Sequence, residues 1–237
     1  MSVNWSSALN ALVLRGAYPQ AIHRLLLSGP AGTGKTSWAG HAFGDVERIT
    51  LHSQMPPEDL IGSLGLVGKA GATETIWHDG PAVRAMRNGM PLVIDEIDQC
   101  SPDLRCALHA ICDDLSVASI TLPTGEVVRP KRGFCVVATT NADPSTFPAP
   151  LMSRFDLVVH CAEPASGVLE KLPAGWRDIL VRSYARQDSA AWTQPVSVRS
   201  VLALQRLSRV IPLGEAAELV FGEEQGAELA DAFAIAD

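Results

Sequence analysis

The sequence is short of several things, and each shortage excludes a class of protein. No apolar run approaches the ~18–20 residues that a membrane-spanning helix requires, so no membrane partner is expected. The opening residues, Met1-Ser2-Val3-Asn4-Trp5, lack a basic stretch followed by an apolar one. No signal peptide is therefore expected, and a cytoplasmic location is. Cysteine is scarce and unpaired in pattern: Cys100, Cys106, Cys112, Cys135 and Cys161 form no C-x-x-C, and their number is odd. Free thiols in a reducing compartment fit that usage. The steps of six between Cys100, Cys106 and Cys112 do not trace one helical face, so no metal site is expected there. Positive charge is also in deficit, with 19 Lys and Arg against 26 Asp and Glu. The resulting net charge of -7 argues against a broad basic face that wraps duplex DNA, although it leaves room for a local basic loop.

What is present describes a folded chain. Its 237 residues are 47% hydrophobic and 19% charged, which suits one large domain or two small ones with a sizeable core. A helical pattern from Ser6 to Arg15 comes first. Then short apolar strands alternate with helices: Leu25–Leu27, Arg48–Leu51, Pro91–Ile94, Phe134–Thr139 and Leu157–His160 read as strands, and Lys35–Phe43 reads as a helix. Such alternation implies a parallel sheet sandwiched by helices. Ser101 is placed to cap a further helix, with Pro102 at its first position. Two β-rich runs around Pro123-Thr124-Gly125-Glu126 predict a hairpin over 117–130. After Pro164 the strand signal stops, and helices are expected at about 167–188, 197–209 and 213–235, with a break near Gly222 and punctuation at Pro195 and Pro212. The expected division is an α/β domain over 1–163 and a small all-helical domain over 164–237. Trp38, Trp176, Trp192, Met86 and Met90 read as packing residues, and His78 beside Asp79 as a hydrogen-bonded structural histidine.

The strongest chemical signal is Gly29-Pro30-Ala31-Gly32-Thr33-Gly34-Lys35-Thr36. It satisfies G-x-x-x-x-G-K-[ST] between a strand and a helix. Glycines let successive backbone N–H groups turn toward phosphate oxygens, and the following helix adds the partial positive charge of its N-terminus. In this pattern Lys35 reaches the β- and γ-phosphates and Thr36 ligates Mg²⁺. The second signal is Leu92-Val93-Ile94-Asp95-Glu96, two carboxylates at the carboxyl end of a buried strand, where ligands gather in open α/β sheets. Asp95 suits Mg²⁺ and Glu96 suits deprotonation of an attacking water. Asn141 follows a neighbouring strand and is placed to align that water, although Asn141-Ala142-Asp143-Pro144 is also an ordinary strand exit. Arg154, in Ser153-Arg154-Phe155, suits charge supplied by a neighbouring subunit. Arg199 falls in the first turn of a helix capped by Ser197, where the helix dipole disfavours a cation. That placement suits either an anionic partner or a solvated surface.

Taken in order, Lys35, Asp95-Glu96, Asn141, Arg154 and Arg199 resemble the Walker A, Walker B, sensor 1, arginine finger and sensor 2 positions of an AAA+ ATPase. Met55-Pro56-Pro57-Glu58-Asp59-Leu60-Ile61-Gly62, with the stretch from Thr75 to Gly89, resembles the MoxR and dynein-related branch, which includes the NorQ, CbbQ and GvpN groups. The resemblance implies a P-loop NTPase sheet followed by a helical lid. It places an insert at about 60–80 in the second helix and another at about 117–130 before sensor 1.

It further implies Mg²⁺-dependent hydrolysis of ATP by a ring, usually a hexamer. Lys35, Thr36, Asp95, Glu96 and Asn141 would act within one subunit, Arg154 on the neighbour's nucleotide, and Arg199 would report nucleotide state to the lid. The expected role is a chaperone or remodelling ATPase acting on a protein client or metalloenzyme complex, with a von Willebrand factor A domain protein or other adaptor as partner. The segment Leu64–Gly71 carries no aromatic side chain, so remodelling is expected in preference to threading. A DNA-acting motor or restriction-type NTPase is the alternative, resting on Arg129, Lys131 and Arg132, and nucleic acid is the less favoured partner.

Overall fold

The computed structural model describes residues 4–69, 72–185 and 196–235. The chain opens with α1 (Trp5–Leu14), a short α2 (Ala17–Gln20), β1 (Arg24–Ser28), α3 (Lys35–Phe43) and β2 (Glu47–Thr50). It continues through α4 (Pro57–Ile61), β3 (Gly62–Lys69), β4 (Ala72–Asp79), α5 (Pro81–Asn88), β5 (Pro91–Asp95) and α6 (Pro102–Ile111). Then come β6 (Ile120–Thr121), β7 (Val127–Val128), β8 (Cys135–Thr140), α7 (Ala149–Met152) and β9 (Leu157–His160). Among the described residues, five helices follow: α8 (Ser166–Leu169), α9 (Ala174–Ala185), α10 (Val198–Leu207), α11 (Leu213–Phe221) and α12 (Glu223–Ile235). The chain forms two compact units. One comprises Leu9–Gly29 and Ala39–His160; the other comprises Met1–Ala8, Pro30–Trp38 and Cys161–Asp237.

The first unit is built on a five-stranded sheet of order β2-β5-β8-β1-β9, and every pairing in it is parallel. Parallel strands covered on both faces must be apolar along their length. Leu25, Leu26, Leu27, Leu92, Val93, Ile94, Val136, Val137 and Ala138 meet that demand and are almost fully buried. One face of the sheet packs through Leu26, Leu92, Ile94, Val136 and Ala138 into a core with Leu104, Leu108 and Ile111 of α6 and with Val83 and Met86 of α5. Helix α6 starts as its sequence dictates: Ser101 Oγ accepts the backbone N–H of Leu104 at 3.2 Å, and Pro102 occupies the first turn. Parallel pairing brings all the carboxyl ends to one edge. There Ser28 lies opposite Thr140, and Thr50 lies opposite Asp95.

Two hairpins stand apart from the main sheet of this unit. The stretch at 60–80 is an antiparallel hairpin, β3 against β4, entered from α4 and leading into α5. Glycines at 62, 65 and 68 weaken any helical preference there, and Thr73, Thr75, Ile76 and Trp77 favour strand. The second hairpin is present but small, with only Ile120–Thr121 and Val127–Val128 paired.

The second unit is helical over its described C-terminal part. Its core is formed by Trp176 and Leu180 of α9, Val201 and Leu204 of α10, and Leu229 and Phe233 of α12. The rings of Trp176 and Phe233 lie 4.7 Å apart at a 53° tilt. The helix expected over 167–188 is two helices, α8 and α9, because Pro173 between them has no N–H with which to continue the first. The break expected near Gly222 separates α11 from α12. Trp192 and Pro195 lie outside the described residues.

Candidate functional site

At the carboxyl end of β1 the backbone N–H of Gly29 donates to Thr140 O at 3.3 Å. The chain then enters Pro30-Ala31-Gly32-Thr33-Gly34 and passes into α3 at Lys35. Gly32 and Gly34 have φ of +81° and +89°, values that strain any L side chain. Space is tight as well: a Cβ on Gly32 would stand 3.3 Å from Tyr184 Oη, and one on Gly34 would stand 3.1 Å from Val168 Cγ2.

The loop carbonyls are held by side chains and backbone of the same unit. Pro30 O accepts from Thr33 Oγ1 at 3.1 Å and from Lys35 Nζ at 2.8 Å. Ala31 O accepts from Tyr184 Oη at 3.1 Å. Thr33 O accepts the N–H of Ala165 at 2.8 Å. Lys35 is buried, with an ammonium directed into its own loop. Thr36 is half-buried in the first turn of α3. Ser197 caps α10 by accepting the N–H of Ser200 at 3.0 Å, which leaves Arg199 exposed in the first turn.

The sheet edge carries the carboxylates. Asp95 ends β5 and is 3% exposed. Burying a carboxylate without partners is costly, and here both oxygens are used. Thr139 Oγ1 of β8 donates to Oδ1 at 2.9 Å, and Arg48 of β2 donates from Nε and Nη2 to Oδ2, each at 2.7 Å. Glu96 is the next residue, yet its environment is opposite. It is exposed, with a left-handed backbone of φ 56° and ψ 50°, and it is the one non-glycine residue with positive φ among those described. A residue held there stores strain of the kind found at functional turns. Its N–H lies 3.4 Å from Thr139 Oγ1. On β8, Thr140 Oγ1 donates to Asp98 Oδ1 at 2.8 Å, and exposed Asn141 follows directly. Asp95, Glu96 and Asn141 thus end neighbouring strands at one edge.

Arg154 stands at the other edge. It precedes β9, where the N–H of Asp156 donates to Arg24 O at the start of β1. Its guanidinium donates to Pro150 O and, from Nε, to His109 O at 3.2 Å, and it faces Asp113 at 3.5 Å near the end of α6. Three residues of these arrangements are not legible as functional in the sequence: Thr139, Arg48 and Tyr184. A threonine inside an apolar strand and an arginine on an edge strand are ordinary β residues. Only the register between strands brings both to Asp95.

The buried, hydrogen-bonded carboxylate of Asp95 is a hard oxygen donor of the kind that Mg²⁺ takes. No group of three His, Cys, Asp or Glu able to hold a metal occurs among the described residues. The buried cysteines are inert by contrast, since burial pushes the thiols of Cys112, Cys135 and Cys161 up to about 12. No described helix is long and apolar enough to cross a membrane.

Comparison with known proteins identifies a family for the chain. A model of the AAA domain, dynein-related subfamily, matches residues 24–155. Protein NorQ of Paracoccus denitrificans is 36% identical over 121 residues, which is 49% of this chain and 43% of that protein. The denitrification regulatory protein NirQ of Stutzerimonas stutzeri is 32% identical over 121 residues, 49% of this chain and 42% of that one. The chain spans less than half the length of these curated relatives. A full-length MCM homolog from Methanopyrus kandleri superimposes with a TM-score of 0.46 at 16% identity, over 96% of this chain and 54% of that one. With a matched phosphate loop, an all-parallel sheet and a family match over more than half its length, the chain belongs to the dynein-related subfamily of AAA domains and has the fold of a NorQ/MoxR-type AAA+ ATPase.

Proposed function

We propose that this chain is the motor of a ring-forming remodelling ATPase, hexameric in the manner of the family it belongs to, that hydrolyses ATP with Mg²⁺ and acts on a protein client. The observation that carries the reading is the contrast between two adjacent carboxylates: Asp95 is buried and doubly bonded, and Glu96 is exposed on a left-handed turn at the same sheet edge. Neighbouring acids in opposite environments suit different tasks. Glu96 accepts a proton from the attacking water, and Asn141 orients that water. Gly29, Pro30, Ala31, Gly32, Thr33 and Gly34 wrap the phosphates, and Lys35 exchanges its bond to Pro30 O for the β- and γ-phosphates. Thr36 and Asp95 would hold Mg²⁺, which when bound neutralises charge on the transferring phosphoryl group.

Arg154 acts on the nucleotide of a neighbouring copy, since its edge of the sheet is remote from Glu96. Arg199 couples nucleotide state to the helices of 164–237, which form the lid of the α/β domain over 1–163. The β3–β4 hairpin, with Leu64 and Leu66 exposed, is the client-facing element, and a von Willebrand factor A domain protein or similar adaptor supplies specificity. A soluble cytoplasmic setting suits all of these roles.

The test is ATP turnover per subunit across a range of protein concentrations, with particle mass measured in parallel. Turnover that rises with ring assembly is expected. Full turnover by a monomer would overturn the shared site. Glu96→Gln is expected to bind ATP and assemble without turnover, and wild-type turnover in that variant would remove Glu96 from the role of base.

A further inference from the structure

The contact between Arg48 and Asp95 has no place in the chemistry above. In the parallel pair of β2 and β5, Arg48 lies opposite Val93 and Thr50 lies opposite Asp95. Residues two apart on a strand share a face. Arg48 therefore reaches diagonally forward along the sheet to the carboxylate. Both Nε and Nη2 settle 2.7 Å from the same oxygen, Oδ2, while Oδ1 is taken by Thr139.

The two partners differ in freedom. The Asp95 side chain is 5% exposed and the Arg48 side chain is 55% exposed. The carboxylate is fixed, and the guanidinium can swing into water and be rehydrated there. Oδ2 is thus the exchangeable oxygen. A hydrated divalent cation approaching Asp95 presents O–H donors and positive charge to that same oxygen. Two cations crowded at one buried oxygen repel strongly, because solvent screens them poorly.

We infer that Arg48 is a resident counter-ion of Asp95 that the nucleotide's divalent cation displaces, so that Arg48 sets the metal affinity of the site. The inference rests on the proposed role of Asp95 toward Mg²⁺. It gives Arg48 a task that a surface ion pair does not have. The buried carboxylate is neutralised by the chain itself without metal and by the metal when loaded, and metal binding is weakened by the strength of the bond it must replace. Release of Arg48 then leaves a mobile cation on the outermost strand of the sheet whenever the site is loaded.

The experiment is a Mn²⁺ titration followed by electron paramagnetic resonance in the presence of saturating AMP-PNP, on the wild type, Arg48→Gln, Arg48→Lys and Asp95→Asn. Arg48→Gln is expected to bind Mn²⁺ roughly tenfold more tightly, since it removes the competing charge. Arg48→Lys, which keeps the charge, is expected to stay within about twofold of the wild type. Thermal melting is the second readout. Arg48→Gln should melt below the wild type without metal and gain more than the wild type on Mn²⁺ addition. Unchanged or weaker Mn²⁺ binding by Arg48→Gln, while Asp95→Asn weakens it, would overturn the role of Arg48 alone. Unchanged binding by Asp95→Asn would overturn the metal role of Asp95, and this inference with it.

Discussion

Thr139 donates its hydroxyl to Asp95 Oδ1 across 2.9 Å, and its Oγ1 accepts from the N–H of Glu96 at 3.4 Å. One hydroxyl on β8 therefore touches both residues of the acidic pair. Thr139→Val keeps the shape and the β-branching but leaves a buried carboxylate short of a donor. A loss of about 1–3 kcal/mol in unfolding free energy is expected, together with a fall in ATP turnover. Thr139→Ser should retain both. Denaturant unfolding and steady-state ATPase assays check the pair, and a Thr139→Val protein as stable and active as the wild type would remove Thr139 from the site.

The left-handed backbone at Glu96 separates its conformational cost from its chemistry. Glycine adopts that conformation freely and alanine does not. Glu96→Gly is therefore expected to be more stable than Glu96→Ala by about 1 kcal/mol. Both lose the carboxylate, so neither should turn over ATP. Equal stability of the two variants would mean that the turn relaxes out of the left-handed region when the glutamate is removed.

The fold was largely legible because its signals are local. The five sheet strands are short apolar runs, and the loop from Gly29 to Thr36 carries its conformation in its glycines. The cap at Ser101 is written in the two residues that make it. What escaped depends on register or on competition between propensities. Arg48 and Thr139 acquire meaning only when β2, β5 and β8 align. Pro173 split a helix that periodicity alone carried through.

Arg24 and Asp156 form an acid-sensitive contact at the sheet's amino edge. Burial raises the Asp156 carboxyl, but the Arg24 guanidinium and the N–H groups of His23 and Arg24 outweigh it and hold the group below the usual carboxylate range. A carboxyl that is more acidic when folded stabilises the fold above its unfolded pKa of about 3.9 and loses that contribution as pH falls through its folded value. Asp156→Asn should be clearly less stable than the wild type at pH 6. The two curves should converge only once pH has fallen below the folded pKa of Asp156, which lies under its unfolded value of about 3.9, because the wild-type group is then protonated as well. Urea titrations at several pH values test this, and a gap that persists at low pH would show that the contact matters through packing.

Arg154 is tied within its own subunit to His109 O, Pro150 O and Asp113, at the edge of the sheet opposite Glu96. The proposed catalytic role of Arg154 is toward the nucleotide of a second copy. Arg154→Ala should assemble and bind ATP yet lose most turnover, roughly 10³-fold if it supplies the charge of an arginine finger. Mixed with Lys35→Ala, which is defective only in its own loop, it should recover a fraction of activity. A mixed assembly contains interfaces in which an intact loop meets an intact Arg154. Subunit exchange is followed first by mass, with differently tagged chains. Recovery in exchanged mixtures supports action across the interface. Exchange without recovery would return Arg154 to a structural role, holding the end of α6 against the loop before β9.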